Sequence, residues 1–248
     1  MPRRVFCRPL ILLLLVAAAV AVTSAQSQEK GVRLVRDEAK GRVDVFVDGQ
    51  PFTSYIYPTT LKKPVLYPLR SAKGALVTRG FPLESRAGER VDHPHQVGLW
   101  FNYGDVNGFD FWNNSDAITP EERAKMGTVV HKAVTAVRNG QDKGELEADM
   151  DWVSGDGKLL LKEHAVFVFR GGPGWRSVER ISRLQALDAR VALTDNKEGM
   201  FGMRVARALE MPSKTPEVFT DAAGRATTVK TMPVERGDGG LMSPVPGE

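Results

Sequence analysis

Short alternating runs of apolar and polar residues, each closed by a turn, fill the chain from Thr128 onward. They leave room for little but antiparallel β structure. TVVHKAVTAV gives way to the turn NGQDKG, ELEADMDWV to SGDGK, and LLLKEHAVFVF to RGGPG; WRSVERISRLQAL then leads to RVALTD. Runs at roughly ten-residue spacing predict strands paired with their sequence neighbours, because parallel pairing needs a crossover of a dozen residues or more. Earlier, RVDVFVD alternates Val43, Val45 and Val47 with polar or outward residues, and Asp48-Gly49 accepts the positive φ of a tight hairpin before FTSYIY. The expected fold class is mainly β, an antiparallel β-sandwich with few short helices. VERISRLQAL also fits a helix, and the preceding hairpin favours a strand. The best helix is TPEERAKM, with Thr119 as cap, Pro120 at the first position, and Glu121 and Glu122 complementing the dipole. In LKEHAVFVF, alternation sets His164 with Lys162, Val166 and Val168 on one face, which reads as a sheet-surface position rather than a ligand.

The N-terminus has another logic. Arg3, Arg4 and Arg8 precede an apolar run from Leu10 to Val22, followed by Thr23, Ser24 and Ala25, so residues 1–25 read as a signal peptide cut after Ala25. The run is too short to span a bilayer, which takes about 20 residues, so no stable membrane span is expected after cleavage. The protein is expected to be secreted or periplasmic. Cys7, the single cysteine, leaves with the signal, and the mature chain then has no thiol chemistry. Removing the three arginines from the 34 basic residues leaves 31 against 30 acidic ones, a balance that does not point to a nucleic-acid partner. Residues 26–248 carry no linker or repeat and are expected to form one β-sandwich domain. The closing stretch KTMPVERGDGGLMSPVPGE is turn-rich with no evident closing strand, as if the domain lacked its C-terminal part.

Chemistry-bearing residues concentrate in RVDHPHQVGLWFNYGDVNGFDFWNNS, Arg90 to Ser115. His93 and His95 flank Pro94, which pushes the residue before it towards extended backbone, and extended residues two apart face one side. Two aligned imidazoles can share acid/base work or begin a metal site. A metal needs a third ligand: Asp92 would face away, and Glu89, Asp105, His131 and Glu198 stay open as candidates. Trp100, Phe101, Tyr103, Phe109, Phe111 and Trp112 alternate with Asn102, Asp105, Asn107, Asp110 and Asn113. Such a mixture suits sugars, whose C–H faces stack on rings while their hydroxyls take directional hydrogen bonds; buried core and turns would read alike. In DNKEGMFGMRVAR, Glu198 can act as a base, Lys197 and Arg204 can hold developing negative charge, and the glycines can bend a strand or admit a ligand. Arg70, Lys73, Arg79 and Arg90 could bind carboxylate or phosphate, or simply be solvated.

The stretch from YPLRSAKGALVTRGFPLESRAGER through HPHQ to FWNNS, with DNKEGMFGMRVAR downstream, resembles a bacterial secreted family labelled "methane oxygenase PmoA", also catalogued as a domain of unknown function. The likeness extends from about Arg33 to the end. It implies a β-sandwich-rich fold and an association with bacterial glycan-degrading systems. Members commonly read HPHH, so Gln96 stands where a third histidine is usual, and the family pattern continues past Glu248. A methane-oxidising membrane subunit needs several spans, whereas this chain offers one short cleavable run.

Together these readings set an expectation of carbohydrate, or another small polar substrate, bound or processed by hydrolysis, elimination or epimerisation. His93, His95 and Glu198 would be catalytic, and Trp100, Asn102, Asp105, Trp112, Lys197 and Arg204 substrate-binding. No metal ligand set or cofactor is assigned. The alternatives are a non-catalytic glycan-binding module and a metalloprotein.

Overall fold

The computed structural model describes residues 30–187 and 189–210, Arg225, and the backbone of strands at 217–220, 226–229, 234–236 and 242–244. The expected signal peptide and much of the C-terminal stretch lie outside these. In chain order the elements are β1 (Val32–Asp37), β2 (Arg42–Val47), β3 (Gln50–Ile56), β4 (Val65–Leu66), β5 (Glu89–Arg90), β6 (Leu99–Phe101) and α1 (Pro120–Arg123). They continue with β7 (Gly127–Arg138), β8 (Gly144–Ser154), β9 (Leu159–Gly172), β10 (Trp175–Ala186) and β11 (Phe201–Met203), then a 3-10 turn at Arg207–Leu209. The last four are β12 (Glu217–Thr220), β13 (Ala226–Val229), β14 (Val234–Arg236) and β15 (Met242–Pro244).

Two antiparallel sheets, ordered β1-β2-β3-β4-β6-β11 and β10-β9-β8-β7, pack face to face as a sandwich. The turns act as their sequences require. Asp48 and Gly49 take φ of 51° and 73° between β2 and β3, a conformation that Asp-Gly adopts at low cost. VERISRLQAL lies within β10, paired along its length with β9. Thr119 caps α1 by accepting from the Glu122 amide, although the helix is only four residues long. At the far end β12 pairs with both β13 and β5, and β14 pairs with β15, so strands do occur in the turn-rich tail.

Alternation decides which side chains fill the interior. Val43, Val45 and Val47 of β2 meet Leu146, Ala148, Met150 and Trp152 of β8 and Leu161, Ala165, Phe167 and Phe169 of β9 in one cluster. Burying each large side chain of this kind stabilises the fold by about 1.5–3 kcal/mol before chain entropy is counted. His164 stands on the opposite face of β9, where its Nδ1 lies 2.7 Å from Asp149. Glu163 points inward instead and is 1% exposed. It accepts from Trp152 Nε1 at 2.8 Å and pairs with Arg180 at 2.6 Å, while Arg180 also lies over the rings of Phe101 and Phe167.

The six-stranded sheet has a second apolar cluster on its outer face. Leu66 and Leu99 turn inward, so their neighbours Val65 and Trp100 point out and join Tyr67, Val97 and Trp112. The candidate site lies beside this cluster, whose Val65 and Val97 line one of its cavities.

Candidate functional site around His95 and Lys63

Arg79 organises the segment before β6. Its guanidinium is almost fully buried, and Nη1 donates to Asp92 Oδ1 at 2.6 Å and to the Arg90 carbonyl at 3.4 Å. Nη2 donates to the carbonyls of His93 and Gln96 at 3.1 and 3.3 Å. One planar fork with five donors thus gathers carbonyls that a straight segment would spread apart. The consequence is a correction to the extended HPH geometry. His93 has φ of 46°, the Gln96 amide donates to the His93 carbonyl at 2.9 Å, and Pro94 and His95 form the corner of a turn. Proline is favoured at the first corner position of such turns because its φ is fixed near the value required.

The same folding reverses the expected direction of Asp92. Its Oδ2 lies 2.9 Å from His93 Nδ1, and its Oδ1 takes a second guanidinium, Arg204 Nη2, at 2.9 Å. Burial raises the Asp92 pKa, but Arg204, His93 and Arg79 outweigh it and hold the carboxyl below its usual range. Arg204 also donates to Gln96 Oε1 at 2.8 Å, so the Gln96 side chain anchors the turn to the chain after β11.

His95 points elsewhere, onto a cavity of about 470 Å³. Leu61, Val65, Pro82, Leu83, Pro94 and Val97 supply its apolar surface, and Lys63, His95, Asn114, Ser115 and Asp116 its polar groups. The His95 ring is half-buried. Burial, with Lys63 and His93 nearby, lowers its pKa to about 4, so the imidazole is neutral at physiological pH. The His93 and His95 rings meet edge-on with centroids 5.7 Å apart. Lys63 is 4% exposed, and its Nζ donates to the His95 carbonyl at 2.8 Å and sits 5.6 Å from the centre of the Trp100 ring. Burial, opposed by Asp110, lowers its pKa to about 7.

A second cavity, of about 440 Å³, opens on the other side of the turn between Arg90, Gln96, Trp100, Trp112, Arg204 and Glu210. Trp100 and Trp112 reach it as edges. They are 2% and 7% exposed and pack against each other with centroids 5.2 Å apart. Gly202, opposite Trp100 in the β6–β11 register, makes room for them: a Cβ there would fall 2.5 Å from Trp100 Cζ2 and 2.9 Å from Trp112 Cη2. In this part of GMFGM the missing side chain admits the protein's own indoles.

The remaining candidates lie apart from both cavities. Asn102 is fully buried and its amide donates to the Phe111 carbonyl. Asp105 Oδ1 closes a turn by accepting from the Gly108 amide at 2.8 Å. Glu198 is paired with Lys197 at 3.4 Å, and Lys197 is 89% exposed. Of the candidates for a third metal ligand, Glu89 accepts from the Gly80 amide at 2.6 Å, and His131 lies 3.0 Å from the Tyr55 hydroxyl and stacks on Tyr57. Among the described residues no three His, Cys, Asp or Glu side chains converge as a metal site would require.

Sequence reasoning passed over Lys63 and gave Arg79 no particular place. A faint signal existed for Lys63: in LKKPVLYP two adjacent lysines enter an apolar extended run, and alternation turns one of them inward. Lys62 indeed stays near the surface, 2.5 Å from Asp116. No curated protein and no solved structure matches the chain. The model of a family of unknown function, DUF6807, matches residues 42–237, a range containing every residue of the site, and the chain belongs to that family.

Proposed function

We propose that the protein binds and processes a carbohydrate or similar small polar molecule in the cavity walled by His95, Lys63, Asn114, Ser115 and Asp116, outside the cytoplasm. The observation that carries this reading is the neutral, half-buried imidazole of His95 on a cavity of about 470 Å³ that joins an apolar surface to polar groups. Such a lining suits sugar rings, whose apolar faces need cover and whose hydroxyls need directional partners. A neutral imidazole accepts a proton from a hydroxyl or an activated C–H, which fits hydrolysis, elimination or epimerisation. His93, held against Asp92 on the other side of Pro94, supports the turn that presents His95. From the family resemblance the reading takes the association with glycan degradation; the methane-oxygenase label has no part in it, since the groups that converge are acid/base and hydrogen-bonding ones. Secretion rests on Arg3, Arg4, Arg8 and the apolar run Leu10 to Val22.

Calorimetry against an oligosaccharide panel, with product analysis of the same mixtures, tests the reading. Binding with conversion supports it. Binding without conversion makes the protein a glycan-binding module, and no binding to any saccharide removes carbohydrate from the account.

A further inference from the structure

Lys63 sits on the cavity wall without the partners that an ammonium group normally collects. Its Nζ carries up to three N–H donors, yet it makes one hydrogen bond, to the His95 carbonyl, and among the described residues no carboxylate pairs with it. Lys62, one residue earlier, has Asp116 to neutralise it. The groups around Lys63 are the Trp100 ring, the turn at His95, and Asp110 at longer range. Asp110 is itself committed, accepting from the amides of Trp112 and Asn113 and from the Asn113 side chain. A buried charged amine left with one hydrogen-bond acceptor and the face of an indole is poorly solvated, whereas a neutral amine costs far less to keep there. A neutral amine also has a free lone pair.

We propose that Lys63 is a nucleophile that captures a carbonyl carbon of the ligand as an imine, so that the cavity takes a sugar in its aldehyde or keto form. The lone pair of Nζ attacks the carbonyl carbon as the C=O π pair moves to oxygen, and a proton passes from nitrogen to that oxygen to give a carbinolamine. The C–O bond then breaks, the oxygen leaves as water with a second proton from nitrogen, and the C=N bond forms. His95, neutral and on the same cavity, is placed to relay these protons. Hydrolysis reverses every step, and no external oxidant or reductant is required. While the imine stands, it draws electrons from the neighbouring carbon, the activation that elimination or epimerisation needs. The inference rests on the carbohydrate reading above and narrows it to sugars able to open to a carbonyl.

The test uses the full chain with glycolaldehyde as probe and cyanoborohydride to reduce any imine to a stable secondary amine, with peptide mass mapping to locate it. At pH 7, Lys63 is expected to be modified ~10-fold or more faster than the exposed Lys197, because burial with a single acceptor favours the neutral, nucleophilic amine at Lys63. Its rate should level off above about pH 7. Modification of Lys63 no faster than Lys197, in the unaltered protein, overturns the imine. A K63R variant with an unchanged thermal midpoint should lose the fast adduct and keep the slow ones; a fast adduct persisting on another residue also overturns the assignment. Methyl glycosides, which cannot open, separate the two ideas. If they bind and turn over as well as the free sugars do, with no Lys63 adduct, the carbohydrate reading stands and the imine falls. A Lys63 adduct with glycolaldehyde but no affinity for any sugar supports the nucleophile and removes the carbohydrate reading.

Discussion

Asp92 Oδ1 lies 2.6 Å from Nη1 of Arg79, a guanidinium with 1% of its side chain exposed. Arg79 holds three backbone carbonyls as well, so losing it leaves three acceptors unmet at once and Asp92 with only Arg204 and His93. Arg79→Met should cost about 1–3 kcal/mol, the range for leaving buried acceptors without a donor, because Asp92 is 37% exposed and keeps Arg204. Arg79→Lys should recover little, because a point charge cannot reach several acceptors in a plane. Urea unfolding of the two variants checks this, and near-equal stability of Lys and Arg at position 79 would contradict the role given to the fork.

The sandwich interior contains a second buried pair. Arg180 and Glu163 are 7% and 0% exposed and 2.6 Å apart. Glu163→Ala leaves Arg180 charged between two phenylalanine rings and the Trp152 N–H without its acceptor, and should destabilise by about 3–5 kcal/mol. The double variant Glu163→Leu with Arg180→Met should regain much of that loss, since apolar replacements remove both desolvation penalties. A double variant no more stable than the single one would mean that the pair does more than cancel its own cost.

Acid should weaken the fold in a defined window. Burial lowers His95 and His131 to about 4, below the 6.5 of an unperturbed histidine. Between these values the unfolded chain binds protons that the folded chain refuses, so the contribution of each is complete above about 6.5 and lost as pH falls towards 4. Asp92, also lowered, acts in the same direction at more acid pH. Both rings are partly exposed, and solvent screening reduces the effect accordingly. The thermal midpoint should therefore drop from pH 6.5 to pH 4, and the slope should flatten in a His95→Gln, His131→Gln double variant. An unchanged slope in that variant sinks the assignment.

Gly202 should tolerate no side chain. A Cβ there would overlap the rings of both Trp100 and Trp112, so Gly202→Ala should cost about 1–3 kcal/mol and shift tryptophan fluorescence. Gly199, whose Cβ would meet nothing within 4 Å beyond its chain neighbours and which has no tryptophan beside it in the chain, provides the control: alanine there should leave the emission unchanged. The same emission shift in both variants would show that the indoles are not the cause.

The strands were readable because one period of two governs them: Val43, Val45 and Val47 on β2 and the alternation of β8 and β9 follow directly from residue type. The site was only partly readable. Local rules place the HPH segment in extended backbone, since Pro94 restricts His93, but Arg79, fourteen residues upstream, draws the His93 and Gln96 carbonyls together and wins. Aromatic and amide residues read as a sugar-binding wall whether they face a cavity or a core, and Asn102 is wholly buried. Lys63 escaped notice because a lysine is usually solvated; only its burial beside the Trp100 ring makes it unusual.

The central claim is that His95, as a neutral base, works on a sugar in its cavity. The most direct measurement compares turnover and affinity of the protein with those of a His95→Gln variant, on a saccharide that the unaltered protein converts. Glutamine can still hydrogen-bond but cannot take up a proton. The expected result is a loss of turnover of about 100-fold or more with affinity changed only a few-fold. Full turnover by the glutamine variant would contradict the claim.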